Sequence, residues 1–235
     1  MSRPIAIVLC GRTEPSVRAR FGDFDAWFAR DLGGPTEVLD ATDGTPLGDP
    51  SRFAGVVLSG SPAMVTDRLP WSVALEDWCR RADGHVPLLG VCYGHQLLGA
   101  AFGGTVADNS RGVEVGTVAV HATPAAANDP LFAGLPDPLL VQESHTQSVV
   151  RAPKGAVVLL ANEHDPHQAL RHSPTTWGVQ FHPEFDEHVQ RGYLETRGER
   201  AGRSREEHER LVNGLRPTPA SRELLSRFAR LCRSR

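Results

Sequence analysis

Two short clusters in this chain combine residue types that can do covalent chemistry. The first is Gly90-Val91-Cys92-Tyr93-Gly94, which closes an apolar run from Val86 and opens a stretch of small and apolar residues reaching Phe102. A thiol at the junction of a buried strand and a helix is lifted above the sheet edge on a sharp turn, and flanking glycines relieve the crowding there. The nucleophile elbow G-x-S-x-G meets the same geometric demand with serine. The N-terminus of the following helix adds free backbone N–H groups and a positive partial charge, which favour thiolate over thiol and can hold an oxyanion. The second cluster is His182-Pro183-Glu184, at the end of the apolar strand Trp177 to Phe181. Side chains two apart in extended backbone share a face, and Pro183 biases His182 toward that conformation. The imidazole could take the thiol proton and return it to a leaving amine, while the carboxylate fixes its tautomer. Taken alone, each cluster also has an ordinary reading: a free cysteine is commonly a small buried hydrophobe, and a His-Pro-Glu tripeptide is commonly surface loop.

The elements that must position these residues can be read from periodicity. Ile5 to Cys10 is expected to be a first strand, and Val17, Phe21, Phe24, Trp27, Phe28 and Leu32 recur at helical spacing up to Gly33-Gly34. Glu37 to Leu39 is a weak second strand, Phe53 to Pro62 a third ending in a tight turn, Trp71 to Ala82 an amphipathic helix, and Val86 to Cys92 the next strand. Beyond Phe102 the pattern shifts to shorter strands with polar turns: within Gly103 to His121, then Leu139 to Glu143, Ala156 to Ala161 and Gln168 to Arg171. The alternation predicts an α/β fold of flavodoxin-like, three-layer character. A mostly parallel central sheet carries helices on both faces, with a small antiparallel addition from about residue 105 to 175. Ligands of such sheets bind at the carboxyl ends of strands, where Ser59-Gly60-Ser61 and Cys92 both fall. The chain reads as one domain over 1–235. From about Asp186 to Arg216 it is highly charged, expected to be helical with breaks and solvated, and a last helix follows through Leu224, Leu225, Phe228 and Leu231.

Composition excludes several classes. A net charge of -3 supplies no field to recruit nucleic acid or an acidic membrane. No apolar run is long enough to span a bilayer, and the N-terminus enters a strand-like run without a signal peptide's pattern, so a cytoplasmic location is expected. Cys10, Cys79, Cys92 and Cys232 form no C-x-x-C pair, which suits free thiols in a reducing compartment. No cluster shows metal-ligand spacing; His164-Asp165-Pro166-His167 comes nearest and reads as a surface turn. Neither metal nor cofactor is expected.

Together G-V-C-Y-G-H-Q and G-V-Q-F-H-P-E resemble the motifs of class I glutamine amidotransferases, in particular the amidotransferase domain of guanosine monophosphate synthetase and its stand-alone relatives. The order L-S-G-S-P, G-V-C-Y-G-H-Q, E-S-H-T-Q, G-V-Q-F-H-P-E also matches, and the resemblance covers most of Ile5 to Phe185. It implies that Cys92 is the nucleophile attacking the side-chain amide of glutamine to form a γ-glutamyl thioester and ammonia, with His182 and Glu184 completing the triad. It further implies an oxyanion hole from the backbone N–H groups of Gly60 and Tyr93, a glutamine pocket lined by Gln96, and contacts from Ser144 and His145 to the amino-acid end of glutamine. Two departures stand out. The synthetase relatives usually carry Ser-His-Gly-Asp where this chain has Ser144-His145-Thr146-Gln147, so the usual acid for the substrate ammonium is missing. His95 stands where many relatives have methionine and is expected to be packing beside the elbow.

The sequence contains no phosphate loop to activate an acceptor, so the chain is expected to release ammonia either alone or as the source for a separate synthase subunit. Two other readings remain open at this point: a γ-glutamyl peptidase cleaving glutathione-like amides with the same triad, and an inactive amidotransferase-like binding module.

Overall fold

Every residue of the strand Ile5–Leu9 (β1) is buried, and its alternate side chains enter different cores in the computed structural model, which describes residues 3–198 and 204–234. Ile5, Ile7 and Leu9 pack with Phe28, Leu225 and Phe228, whereas Ala6 and Val8 pack with Leu75, Cys79 and Leu97. This period of two places a helical layer on each face of the sheet.

After β1 come α1 (Pro15–Phe21), α2 (Phe24–Leu32), β2 (Thr36–Asp40), β3 (Gly55–Leu58), α3 (Pro70–Ala82), β4 (Leu88–Val91) and α4 (Tyr93–Ala101). Then follow β5 (Thr105–Asp108), β6 (Glu114–Ala122), β7 (Leu139–His145), β8 (Gln147–Arg151), β9 (Val157–Ala161), β10 (Ala169–Ser173) and β11 (Thr176–Val179). The chain ends with α5 (Glu187–Gly198), α6 (Arg205–Gly214) and α7 (Pro219–Arg233). Nine strands form one mixed sheet in the order β2-β1-β3-β4-β11-β10-β9-β6-β7, parallel from β2 to β11 and antiparallel from there to β7. β5 and β8 make a separate antiparallel pair. Most of the antiparallel part thus extends the main sheet, while among the described residues the β5–β8 pair stands apart.

Three local expectations are corrected. The helix expected through Val17 to Leu32 is two helices, because Gly22 takes φ 87° and the Asp23 side chain accepts from the Phe24 N–H to start a new one. The strand β8 lies in a stretch with too little alternation to announce it. The charged segment after Asp186 is not wholly solvated: Val189, Tyr193 and Leu194 bury one side of α5, while α6 has no buried residue. Three apolar residues at helical spacing suffice to dock α5, though charges surround them in sequence. Residues 199–203 of that segment lie outside the described residues.

The topology matters for the site because β4 and β11 are neighbours, in register Val91 to Val179. Their carboxyl ends deliver Cys92 and the His182-Pro183-Glu184 segment to the same edge.

Candidate active site

Cys92 follows β4 and caps α4, with φ 52° and ψ -102°. A side chain on a backbone in this region is strained, at a cost of about 1–3 kcal/mol, and such strain persists only where surroundings enforce it. Here they do. The Cys92 N–H donates to the Val179 carbonyl at 2.8 Å, and its own carbonyl accepts from Gln96 N–H at 3.0 Å, opening the helix. The flanking glycines are required by close approach. A Cβ on Gly90 would lie 2.5 Å from the Gly94 carbonyl carbon, and one on Gly94 would lie 2.6 Å from the Leu58 oxygen. β4, α4 and β3 meet backbone to backbone beneath the thiol.

His182 and Glu184 sit as expected from their spacing. His182 Nδ1 lies 2.7 Å from Glu184 Oε1, and both side chains are almost wholly buried. Phe24 and Phe185 stack on the imidazole, and the Arg30 guanidinium donates to the Glu184 carbonyl at 2.9 Å. Cys92 lines the same small cavity as this imidazole, which acts on the thiol. Burial pushes the thiol up, but the neighbouring His182, with the charge of His145, brings it below its ordinary value. Burial works against a charged His182, but Glu184 and Cys92 outweigh it and raise the imidazole to about 10. The arrangement favours a thiolate–imidazolium pair with the carboxylate behind it.

The other expected residues divide. Gly60 lies two residues beyond β3 with its Cα face against the His182 ring; an added Cβ would lie 2.9 Å from His182 Cε1. The backbone N–H of Tyr93 belongs to the first turn of α4, where helical donors have no partner within the helix. Its phenol is fixed elsewhere, donating to Ser72 Oγ at 2.7 Å. Ser144 lines a small cavity beside Cys92 and His182. Gln96 and His145 do not: the Gln96 amide donates to the Gln147 carbonyl at 2.7 Å and to Gln180 at 3.1 Å, and His145 faces Glu114. His95 is buried under β11, where Gly178 leaves room for its ring, and burial pulls it well below its ordinary value, as packing rather than base chemistry requires.

The cavity brings in residues that the motifs do not name. Arg12, Thr13, Glu14, Ser61, Pro62 and Tyr193 line it together with Phe24, Cys92, Ser144 and His182, and its volume is about 20 Å³, room for one water. Asp23 holds the Arg12–Glu14 loop by accepting the Thr13 N–H at 2.9 Å, and Thr13 is hydrogen-bonded to the Tyr193 hydroxyl. The position of that loop at the carboxyl end of β1 is the one sequence signal that could have found it.

Comparison with known proteins bears directly on this geometry. The family model described as glutamine amidotransferase class-I matches residues 32–197. The chain belongs to the class I glutamine amidotransferases.

Relatives within and around this family differ in extent. The chain is 35% identical over 178 residues to a protein of Thermococcus kodakarensis named as one subunit of a glutamine-hydrolyzing GMP synthase, covering 72% of this chain and 89% of that one. It is 39% identical over 133 residues to the glutamine-hydrolyzing GMP synthase of Thermosipho africanus, covering 56% of this chain but 24% of that protein. The chain thus spans about a quarter of the length of such full synthases. In fold it matches the crystal structure of a glutamine amidotransferase from Thermotoga maritima, with TM-score 0.79, 20% identity and 99% of both chains covered. The amidotransferase fold is therefore shared from end to end. Among the described residues, no helix is long and apolar enough to cross a membrane.

Proposed function

We propose that this chain, acting as a single amidotransferase unit, hydrolyses the side-chain amide of glutamine through a thioester on Cys92 and supplies ammonia to a separate synthase subunit. The observation that carries this reading is the His182 imidazole, bonded to Glu184 and lining one small cavity together with the Cys92 thiol. In the first half-reaction the thiolate attacks the amide carbon, and the oxyanion is received by the N–H groups of Gly60 and Tyr93. Collapse expels ammonia, which takes its proton from the His182 imidazolium. In the second, His182 removes a proton from water, the hydroxide attacks the thioester, and glutamate leaves with the thiolate restored. Glu184 keeps the Nδ1 proton in place and offsets the imidazolium charge throughout.

Glutamine carries an ammonium and a carboxylate at its far end. With Gln147 in place of the usual acid, and hydrogen-bonded to Thr66 and Asp108, the charged side chains at the cavity besides the Cys92–His182 pair are Glu14 and Arg12, the latter also paired with Asp23, Asp25 and Asp40. Glu14 takes the ammonium in this reading, and Arg12 the carboxylate. The match to the amidotransferase family model and the glutamine-hydrolyzing name of the Thermococcus relative support glutamine over γ-glutamyl peptides. The name of the Thermococcus relative, one subunit of a synthase, supports a synthase partner. A cytoplasmic location belongs to the same reading.

The test compares ammonia release from glutamine with cleavage of γ-glutamyl dipeptides, for wild type and Cys92→Ala, with trapping of the thioester. Glutamine turnover lost in Cys92→Ala supports the proposal. Preference for dipeptides would replace it with the peptidase reading, and turnover insensitive to Cys92→Ala would overturn the mechanism.

A further inference from the structure

Behind the cavity wall, on the face of β7 opposite Ser144, three buried side chains converge. Glu114 opens β6 and His145 closes β7, paired across the ladder, and Glu143 lies two residues back, opposite Gly116. His145 Nε2 is 3.0 Å from Glu114 Oε2 and 3.5 Å from Glu143 Oε2, with the three donor atoms all within 4.8 Å of one another. None of the three residues is more than 6% exposed.

The hydrogen bonds around the cluster define what must lie at its centre. His145 Nδ1 is 2.9 Å from the Gln147 carbonyl oxygen, which can only accept, so the Nδ1 position carries hydrogen. Nε2 then faces two carboxylate oxygens, an arrangement that demands a positive species between them. Glu114 is already oriented by amides: Asn162 donates to Oε1 at 2.7 Å and Gln168 to Oε2 at 2.8 Å. Glu143 is fully buried and aimed into the cluster, yet among the described residues neither of its oxygens accepts a hydrogen bond. The Gln168 Oε1 atom, equally buried, also lacks a partner among them. Unsatisfied acceptors of this kind are costly in an interior and call for a donor or a cation.

We propose that Glu114, Glu143 and His145 form a binding site for one divalent cation of the zinc type. One imidazole and two carboxylates are a zinc donor set, and an imidazole whose far N–H binds a backbone carbonyl, beside a carboxylate held by amides, has the outer support that metal ligands show. The 3.0 and 3.5 Å separations bracket the roughly 3.3 Å edge of a tetrahedron around such an ion. Magnesium would require several retained waters, for which this buried cluster offers little room. Gln168 Oε1 stands as the fourth donor. Such an ion ties β6 and β7 to the segment leading into β10, and so fixes the strand that presents Ser144 to the cavity. Without it, a proton occupies the same space.

The experiment uses the full chain carrying Cys92→Ala, which removes the thiol–imidazole pair as a competing zinc ligand. After dialysis against chelator, zinc is titrated by calorimetry, with metal content and melting temperature measured in parallel. The expected result is one zinc per chain, a rise of several degrees in melting temperature, and at least ~100-fold weaker binding when Glu143→Gln is added. Glu114→Gln serves as a second variant should the first fail to fold. Absence of stoichiometric binding overturns the proposal, as does binding unaffected by either substitution. A His145 ring with protons on both nitrogens in NMR spectra at saturating zinc would assign the space to a proton instead.

Discussion

Phe185 lies flat against the His182 ring, with centroids 4.0 Å apart and planes 11° from parallel. The imidazole is therefore held on its face by Phe185 and at its edge by Glu184, so its orientation is set twice. Phe185→Leu should preserve most of the burial while releasing the ring. The expected outcome is a fall of ~10-fold or more in kcat with the melting temperature little changed. Phe185→Ala, which leaves a cavity at a fully buried site, should cost about 3–5 kcal/mol in denaturant unfolding.

Glu184→Gln keeps the shape of the side chain but replaces the acceptor that holds the His182 Nδ1 proton. A loss of ~10³–10⁴-fold in kcat is expected, by analogy with the orienting acid of other triads. Steady-state kinetics with glutamine check it, and intact thioester formation at the wild-type rate would contradict the role assigned to Glu184.

Two glycines near the thiol should respond differently to the same substitution. At Gly90 an added Cβ meets the Gly94 backbone, which cannot yield, so Gly90→Ala should destabilise the fold by about 3 kcal/mol or more. At Gly60 it meets the His182 ring at 2.9 Å and the Phe24 ring at 3.2 Å, which are side chains. Gly60→Ala should therefore fold and lose activity by displacing the base. Thermal melts and kcat measured on both variants separate the two cases.

The pH profile follows from the coupled pair. The thiol, depressed by the neighbouring imidazolium despite its burial, forms the reactive thiolate on the acid side of its ordinary range, and kcat/KM rises there. His182, raised to about 10 by Glu184 and Cys92 against the effect of burial, loses the proton needed by leaving ammonia only at strongly alkaline pH. Activity should hold a plateau between these limits and fall near pH 10. Glu184→Gln removes a charge that favours the imidazolium, so its alkaline limb should move to lower pH. A common alkaline limb for the two proteins would refute this assignment.

Glu14→Gln should raise KM for glutamine by roughly 10-fold or more, the size of one lost charged hydrogen bond, with a smaller change in kcat. Hydrolysis of 4-carbamoylbutanoate, which lacks the α-ammonium, should be indifferent to the substitution. Equal losses on both compounds would place the effect of Glu14 in the fold of the loop instead.

Much of this was accessible to reasoning on residue types alone, for identifiable reasons. The elbow around Cys92 is legible because close backbone approach demands glycine at both flanks, and the His182–Glu184 pair because extended backbone has a period of two. The α/β class is legible because β1, β3 and β4 are continuous apolar runs between helical segments. Convergence is not: that β11 lies beside β4 is a property of the sheet order, and nothing local to either strand encodes it. The roof over the cavity is hidden as well. Arg12–Glu14 lie in a loop without periodicity, and Tyr193 sits among charged residues on α5. Glu143 and His145 show a different limit. Strand alternation puts them together away from Ser144, but the identity of their neighbours, Glu114 and Gln168, depends on register across the sheet.

Because Cys92 and His182 extend from adjacent strands locked in register, the interval between sulfur and imidazole is governed by the pitch of the backbone ladder, which side chains scarcely alter. The long excursion through β5–β10 that separates the two in the chain returns to the site at β7, which supplies Ser144 to the cavity and the Gln142 carbonyl that accepts the His182 N–H at 2.9 Å. Exposed turns of that excursion can vary without moving the sulfur or the ring, whereas any shift of β7 is felt at both.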